Sequence, residues 1–224
     1  MADRRIKPAA ITWAVMAWVA ATAVTVVQAQ MPPRAMKIDA LALDNAYVRV
    51  SRNEAPCARA EAGRCEDRVI LAMADIEIAV GSASRRLTRG EIAVYKVGDS
   101  YTPPSGSYYE IAIKPGHPPV KSPPELIAPS MNLAVHRGDR FFIYEERLDV
   151  GATRPRHSHS QRVEIRLSNG PMLHQWVWTG ETVADNEPSR VNWREPIIHE
   201  VRNMGDAPLR NFILEFLPQG GAAK

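Results

Sequence analysis

His157 and His159 stand two residues apart in the segment Gly151-Ala-Thr-Arg-Pro-Arg-His157-Ser-His159-Ser-Gln-Arg-Val-Glu164, and a third histidine, His199, follows downstream. Residues two apart on a β-strand leave from the same face, so both imidazoles of the pair point to one place. Imidazole nitrogens with one carboxylate oxygen suit a borderline first-row metal such as Fe, Mn, Ni, Cu or Zn. The sequence therefore offers His157, His159, Glu164 and His199 as ligands of one divalent ion. Protein ligands that close one side of an ion leave positions for water or substrate, which separates catalytic from structural sites. Such an ion can activate a bound water, polarise an enolate or carboxylate, or, as iron, bind dioxygen.

These ligands need strands to hold them, and the chain supplies short alternating segments. Residues 47–50, 75–80, 90–95 and 108–113 alternate or cluster apolar side chains as strands do, with turn residues between them. The pattern resumes at 141–144, 163–167, 173–178 and 212–217. Between the two groups, Lys114 to Glu125 contains five prolines. Proline fixes φ and removes a donor, so that stretch reads as an extended connector rather than a helix or central strand. No amphipathic helix of ten or more residues stands out beyond the N-terminus. The expected class is all-β, a barrel or jelly roll.

The first residues belong to a different class. Arg4, Arg5 and Lys7 precede an uncharged apolar run from Ala9 to Val27, and Val27-Gln28-Ala29 has the small residues of a cleavage site. Residues 1–29 read as a leader helix that exports the chain to the periplasm or medium. If it is not cleaved, the same run is long enough to anchor the chain in a membrane. Cys57 and Cys65 are the only cysteines, and an even count in an exported chain suggests a disulfide, two inert thiols being the alternative. The net charge of +3 comes from 28 basic and 25 acidic residues mixed along the chain. No basic stripe with interleaved aromatics appears, which excludes nucleic acid as the expected partner. A small molecule and a second copy of the chain are the partners that remain.

The histidine segments resemble the two sequence motifs of the cupin superfamily. In the first, Gly151, five residues, His157-x-His159, four residues and Glu164 keep the family spacing, with five rather than six residues before Gly170. In the second, His199 and Asn203 keep theirs, while Arg194 and Pro196 stand where the family has proline and glycine. An earlier segment repeats the frame of the second motif without its ligand. It reads Gly90, five residues, Lys96-x-Gly98, two residues, Tyr101, and Gly63 and Cys65 fall where His157 and His159 lie later. The resemblance implies a bicupin of two jelly-roll halves. Its divisions are a degenerate barrel at 38–115, a Pro-rich connector at 116–132 and a metal-binding barrel at 133–219, with one ion per chain.

Within this reading Glu164 is pulled two ways. Val163, Ile165 and Leu167 form one face of their strand and Glu164 with Arg166 the other. An apolar barrel interior would turn Glu164 outward, whereas the family's usual ligand set turns it inward, and Gln161 is the alternative oxygen donor. Arg156 and Arg162 are candidates for orienting an anionic substrate. His117, His136 and His174 have no motif around them. The resemblance permits dioxygenases, isomerases, decarboxylases and sugar-binding modules, and a fold does not choose among them. The expectation is an exported metal-dependent enzyme acting on a small oxygen-rich molecule, with oxygenase chemistry ahead of isomerase or lyase chemistry. The other reading is a non-catalytic binding or sensory bicupin.

Overall fold

The computed structural model describes residues 40–58, 66–80, 83–121, 130–168, 172–176, 182–185 and 190–219. The leader 1–29, Cys65, Gly63, Gly170, Trp178 and the middle of the Pro-rich connector lie outside the described residues. No helix occurs among the described residues, and all regular structure is strand.

The first half contributes β1 (Leu41–Asp44), β2 (Val48–Arg52), β3 (Arg68–Ala72), β4 (Ile76–Val80), β5 (Ala83–Leu87), β6 (Ile92–Tyr95) and β7 (Tyr108–Ile113). The second half contributes β8 (Asn132–Arg137), β9 (Phe141–Leu148), β10 (Thr153–His159), β11 (Arg162–Arg166) and β12 (Met172–Trp176). It continues with β13 (Thr182–Asp185), β14 (Val191–Arg194), β15 (Ile197–Asn203) and β16 (Leu209–Phe216). The alternating segments seen in the sequence all overlap strands among the described residues. β1, β8, β14 and β15 lack clear alternation and emerge only through pairing with their neighbours.

The two halves repeat one topology. The order β1-β2-β7-β3-β6 in the first five-stranded sheet matches β8-β9-β16-β11-β14 in the second. The registers agree as well: Val48 faces Ile113 as Phe141 faces Phe216, and Arg68 faces Ala112 as Arg162 faces Glu215. The hairpin β4-β5 corresponds to β12-β13. In the second half that hairpin joins a four-stranded sheet, β10-β15-β12-β13. Among the described residues β10 and β15 have no counterparts in the first half. Those two strands carry the three histidines.

The five-stranded sheets share one core. Val48, Val50, Val69, Leu71, Ile111 and Ile113 pack with Phe141, Ile143, Val163, Ile165, Phe212, Leu214 and Phe216. Each such side chain removed from water contributes roughly 1.5–3 kcal/mol, so the joined faces are a large source of stability. This arrangement corrects the inference that an apolar β11 face turns Glu164 to solvent. Val163 and Ile165 cover the other half of the chain, and the Glu164 face of β11 lines the cavity of the second half.

The interior of the first half is filled differently. Ile70 occupies the register position of Glu164, Ala112 that of Glu215 and Tyr95 that of Arg194. Ile70, Ala72, Ala93, Tyr95, Tyr101 and Tyr108 form an apolar cluster there. Tyr101 stands where the metal motif would place a histidine, and its hydroxyl donates to the buried Glu110 carboxyl at 2.7 Å. Cys57 is disulfide-bonded and buried beside them, and its backbone N–H donates to Glu110 Oε1 at 3.0 Å.

Candidate metal centre

His157, His159 and His199 come together on the antiparallel pair β10–β15, with His157 directly opposite His199. The chain enters β10 through Gly151 at φ +73°, a left-handed conformation that glycine adopts without strain. A bulge then interrupts the pairing: Arg154 faces Val201 and His157 faces His199, so three steps on β10 match two on β15. A bulge adds one residue and re-aims the side chains on either side of it. Here it puts Arg154, His157 and His159 on the buried side and leaves Arg156 exposed.

The ligand atoms of the three histidines lie within 4.8 Å of one another. His157 Nε2 is 2.9 Å from His159 Nε2 and 3.0 Å from His199 Nε2. Bonds of about 2.0–2.1 Å to a shared ion at right angles set ligand nitrogens about 2.9–3.0 Å apart, so the spacing fits one metal. The tautomers agree. His157 Nδ1 is 2.8 Å from the Pro155 carbonyl oxygen, which only accepts, so the proton sits on Nδ1 and the Nε2 lone pair faces the cluster. His159 Nδ1 is 3.2 Å from Glu215 Oε2, which assigns the same tautomer. Two lone pairs facing each other at this distance repel unless a cation lies between them.

Burial, then the neighbouring His159, lowers the His157 pKa to about 4 and the His199 pKa to about 2. Both rings are therefore neutral at ordinary pH, as metal ligation requires. Three imidazoles in this geometry can hold one metal ion.

The support behind them comes from residues that sequence reasoning passed over. Glu215 is fully buried on β16 and its two oxygens accept from Tyr144 Oη at 2.6 Å, from Ser160 Oγ at 3.1 Å and from the Ser160 N–H. A carboxylate behind a ligating imidazole fixes the tautomer and orients the ring. The one signal in the sequence is a lone acid inside the apolar run Phe212-Ile-Leu-Glu-Phe. Glu146 Oε1 lies 3.7 Å from His159 Nε2 and accepts from Arg154 Nη1 at 2.6 Å. Burial alone would raise the Glu146 pKa, but Arg154 and His159 hold it down at about 2.

A cavity of about 450 Å³ opens beside the imidazoles. Its polar wall includes Glu146, Arg154, Arg162, Glu164, Arg194 and Asn211, and its apolar wall Leu148, Val201 and Leu209. Glu164 thus reaches the cavity, but it is not among the gathered ligand atoms; its Oε1 lies 3.5 Å from Arg194 Nη2. Gln161 is buried without lining the cavity. Arg162 is buried in the wall and donates to the Glu195 carbonyl at 3.2 Å. Arg156 lies outside the cavity lining. His117 packs on Phe216 and His136 near Phe141, both away from the three histidines.

No family model matches the chain, and no curated protein matches its sequence. Solved structures do resemble it. A cupin domain from Bordetella pertussis shares 22% identity over 43% of this chain and 96% of its own, with a TM-score of 0.33. A cupin 2 conserved barrel protein from Leptotrichia buccalis shares 9% over 78% and 86%, with a TM-score of 0.43. A variant of salicylate 1,2-dioxygenase from Pseudoaminobacter salicylatoxidans shares 11% over 75% and 69%, also at 0.43. Several of the solved structures similar to this chain are described as cupin or double-stranded β-helix proteins.

Proposed function

We propose that this chain is an exported, metal-dependent cupin enzyme that acts on a small oxygen-rich molecule, with oxygenase-type chemistry. The observation that carries this reading is the convergence of three imidazoles, His157, His159 and His199, beside a cavity that His159 and His199 line and that is large enough for such a molecule. When bound there, a first-row ion supplies a Lewis acid with open positions and, as iron, a redox partner for dioxygen. The protein's own contribution is rigidity: Glu215 holds the His159 ring, and the Pro155 carbonyl holds the His157 ring. In this reading residues 1–29 direct export to the periplasm or medium. Residues 38–115 form a barrel kept for packing, 116–132 a connector and 133–219 the barrel that works.

A second reading, a binding or sensory protein using the same centre, has its own support. Of the cavity carboxylates, Glu146 and Glu164 face arginines and Glu195 accepts from Trp193 Nε1 at 2.7 Å, so each is already engaged. Metal analysis of chain purified without chelators or a histidine tag decides the first step. Near-stoichiometric metal in the wild type, lost in His157→Ala and His199→Ala, is the expected result. Absence of metal after supplementation with Fe, Mn, Ni, Cu and Zn sinks both readings. Dioxygen uptake with phenolic and sugar-acid substrates then separates enzyme from binder.

A further inference from the structure

Arg154 is used by neither the metal cluster nor the fold in an ordinary way. It is 3% exposed and lines the cavity beside His159 and His199. Its Nη1 donates to Glu146 at 2.6 Å, while Nε and Nη2 are shielded from water and have no partner among the described residues. Those two nitrogens share one edge of the guanidinium, the edge that grips both oxygens of a carboxylate in a parallel fork. Leaving two buried donors of a charged group unsatisfied is unfavourable, and native proteins rarely tolerate it without a role for the group.

The charge of the cavity points the same way. Its lining contains Arg154, Arg162 and Arg194 against Glu146, Glu164 and Glu195, which balance. A divalent ion held by the three imidazoles would then add two positive charges without a counter-charge in the wall. Leu148, Val201 and Leu209 supply an apolar surface for the rest of a ligand.

We propose that the Nε–Nη2 edge of Arg154 is a carboxylate subsite, and that the ligand of this cavity is a small carboxylic acid in its anionic form. The proposal deepens the metal-enzyme reading and rests on it for the ligand's role, although the subsite itself belongs to the protein. The bulge in β10 brings the arginine to the cavity wall, and Glu146 accepts from its Nη1, which leaves the other edge of the guanidinium unpaired.

The test is calorimetric titration of the full chain, metal-loaded and chelated, with benzoate and pyruvate beside their neutral amides, benzamide and pyruvamide. An acid is expected to bind saturably and its amide at least tenfold more weakly. Arg154→Lys keeps a positive charge facing Glu146 but loses the fork, and should weaken the acid by roughly tenfold or more without reducing metal content. The comparison of acid with amide on the chelated wild-type chain keeps the test if Arg154→Lys does not fold. Failure of both acids to bind overturns the subsite. Equal binding of acid and amide, or an unchanged affinity in Arg154→Lys, also overturns it. Arg154-dependent binding in a chain that takes up no metal would keep the subsite and remove the metal centre. Stoichiometric metal with acid and amide bound alike would do the reverse.

Discussion

Glu215 decides which nitrogen of His159 faces the metal position, because a carboxylate accepts and so leaves the imidazole proton on Nδ1. Replacing it with glutamine presents an amide N–H to that nitrogen or to Tyr144 and Ser160, and no single orientation satisfies all three. Glu215→Gln is expected to weaken metal binding by about 10–100-fold, read by competition with a chromophoric chelator. The buried acid of the other half, Glu110, behaves differently. Burial pushes its pKa up from 4.5 to about 6, against the opposing hydrogen bonds from Tyr101 and Cys57. The raised value means the folded state binds the proton more tightly than the unfolded state. Its stabilising contribution is complete below about pH 4.5 and is lost as pH rises through about 6, a change of about 2 kcal/mol. In urea titrations at pH 4.5 and pH 7.5, Glu110→Gln should lose that part of the wild-type pH dependence. An identical pH dependence in the two proteins would contradict the assignment.

At the scale of elements, β10 and β15 are the working parts. The bulge between Arg154 and His157 lets side chains three apart share the buried side, which regular alternation forbids. Deleting Pro155 leaves Arg154 and His157 two apart, so a regular strand keeps the arginine and the histidines on one face without the bulge. The expected outcome is a folded protein by circular dichroism that retains metal and acid binding. Loss of either in a folded deletion variant would show that the bulge itself aims these side chains. Strict alternation places Arg154 and Arg156 alike on the face opposite His157 and His159, and Arg156 does lie exposed. Only pairing with β15 reveals the extra residue.

For the whole molecule, the joined faces of the two five-stranded sheets make residues 38–224 one compact unit. Phe212 is 2% exposed, on the β16 face that meets the other half. Phe212→Ala should cost about 3–5 kcal/mol through lost burial and the cavity it leaves. Because the core is shared, intrinsic fluorescence and far-ultraviolet circular dichroism should report one coincident unfolding transition, shifted in the variant. Two separated transitions would mean that the halves are stable independently. The first half also shows how a barrel is closed to chemistry. Apolar residues occupy the register positions that hold Glu164, Arg194 and Glu215 in the second half, and the two strands that carry histidines have no described counterpart.

The sequence by itself determined the all-β class, the repeated plan and the three histidines, because strand parity and ligand spacing are local properties of the chain. It placed Glu164 beside the site but could not orient it, since alternation says which residues share a face and not what that face will meet. Only the tertiary structure decided that the apolar face of β11 covers the other half and that its charged face lines a cavity. It alone brought Glu215, Glu146 and Arg154 to the imidazoles, from three strands and across as many as 56 residues of chain. Side chains so far apart in sequence share no local pattern. They meet because hydrogen-bond register sets neighbouring strands side by side and burial chooses which face turns inward.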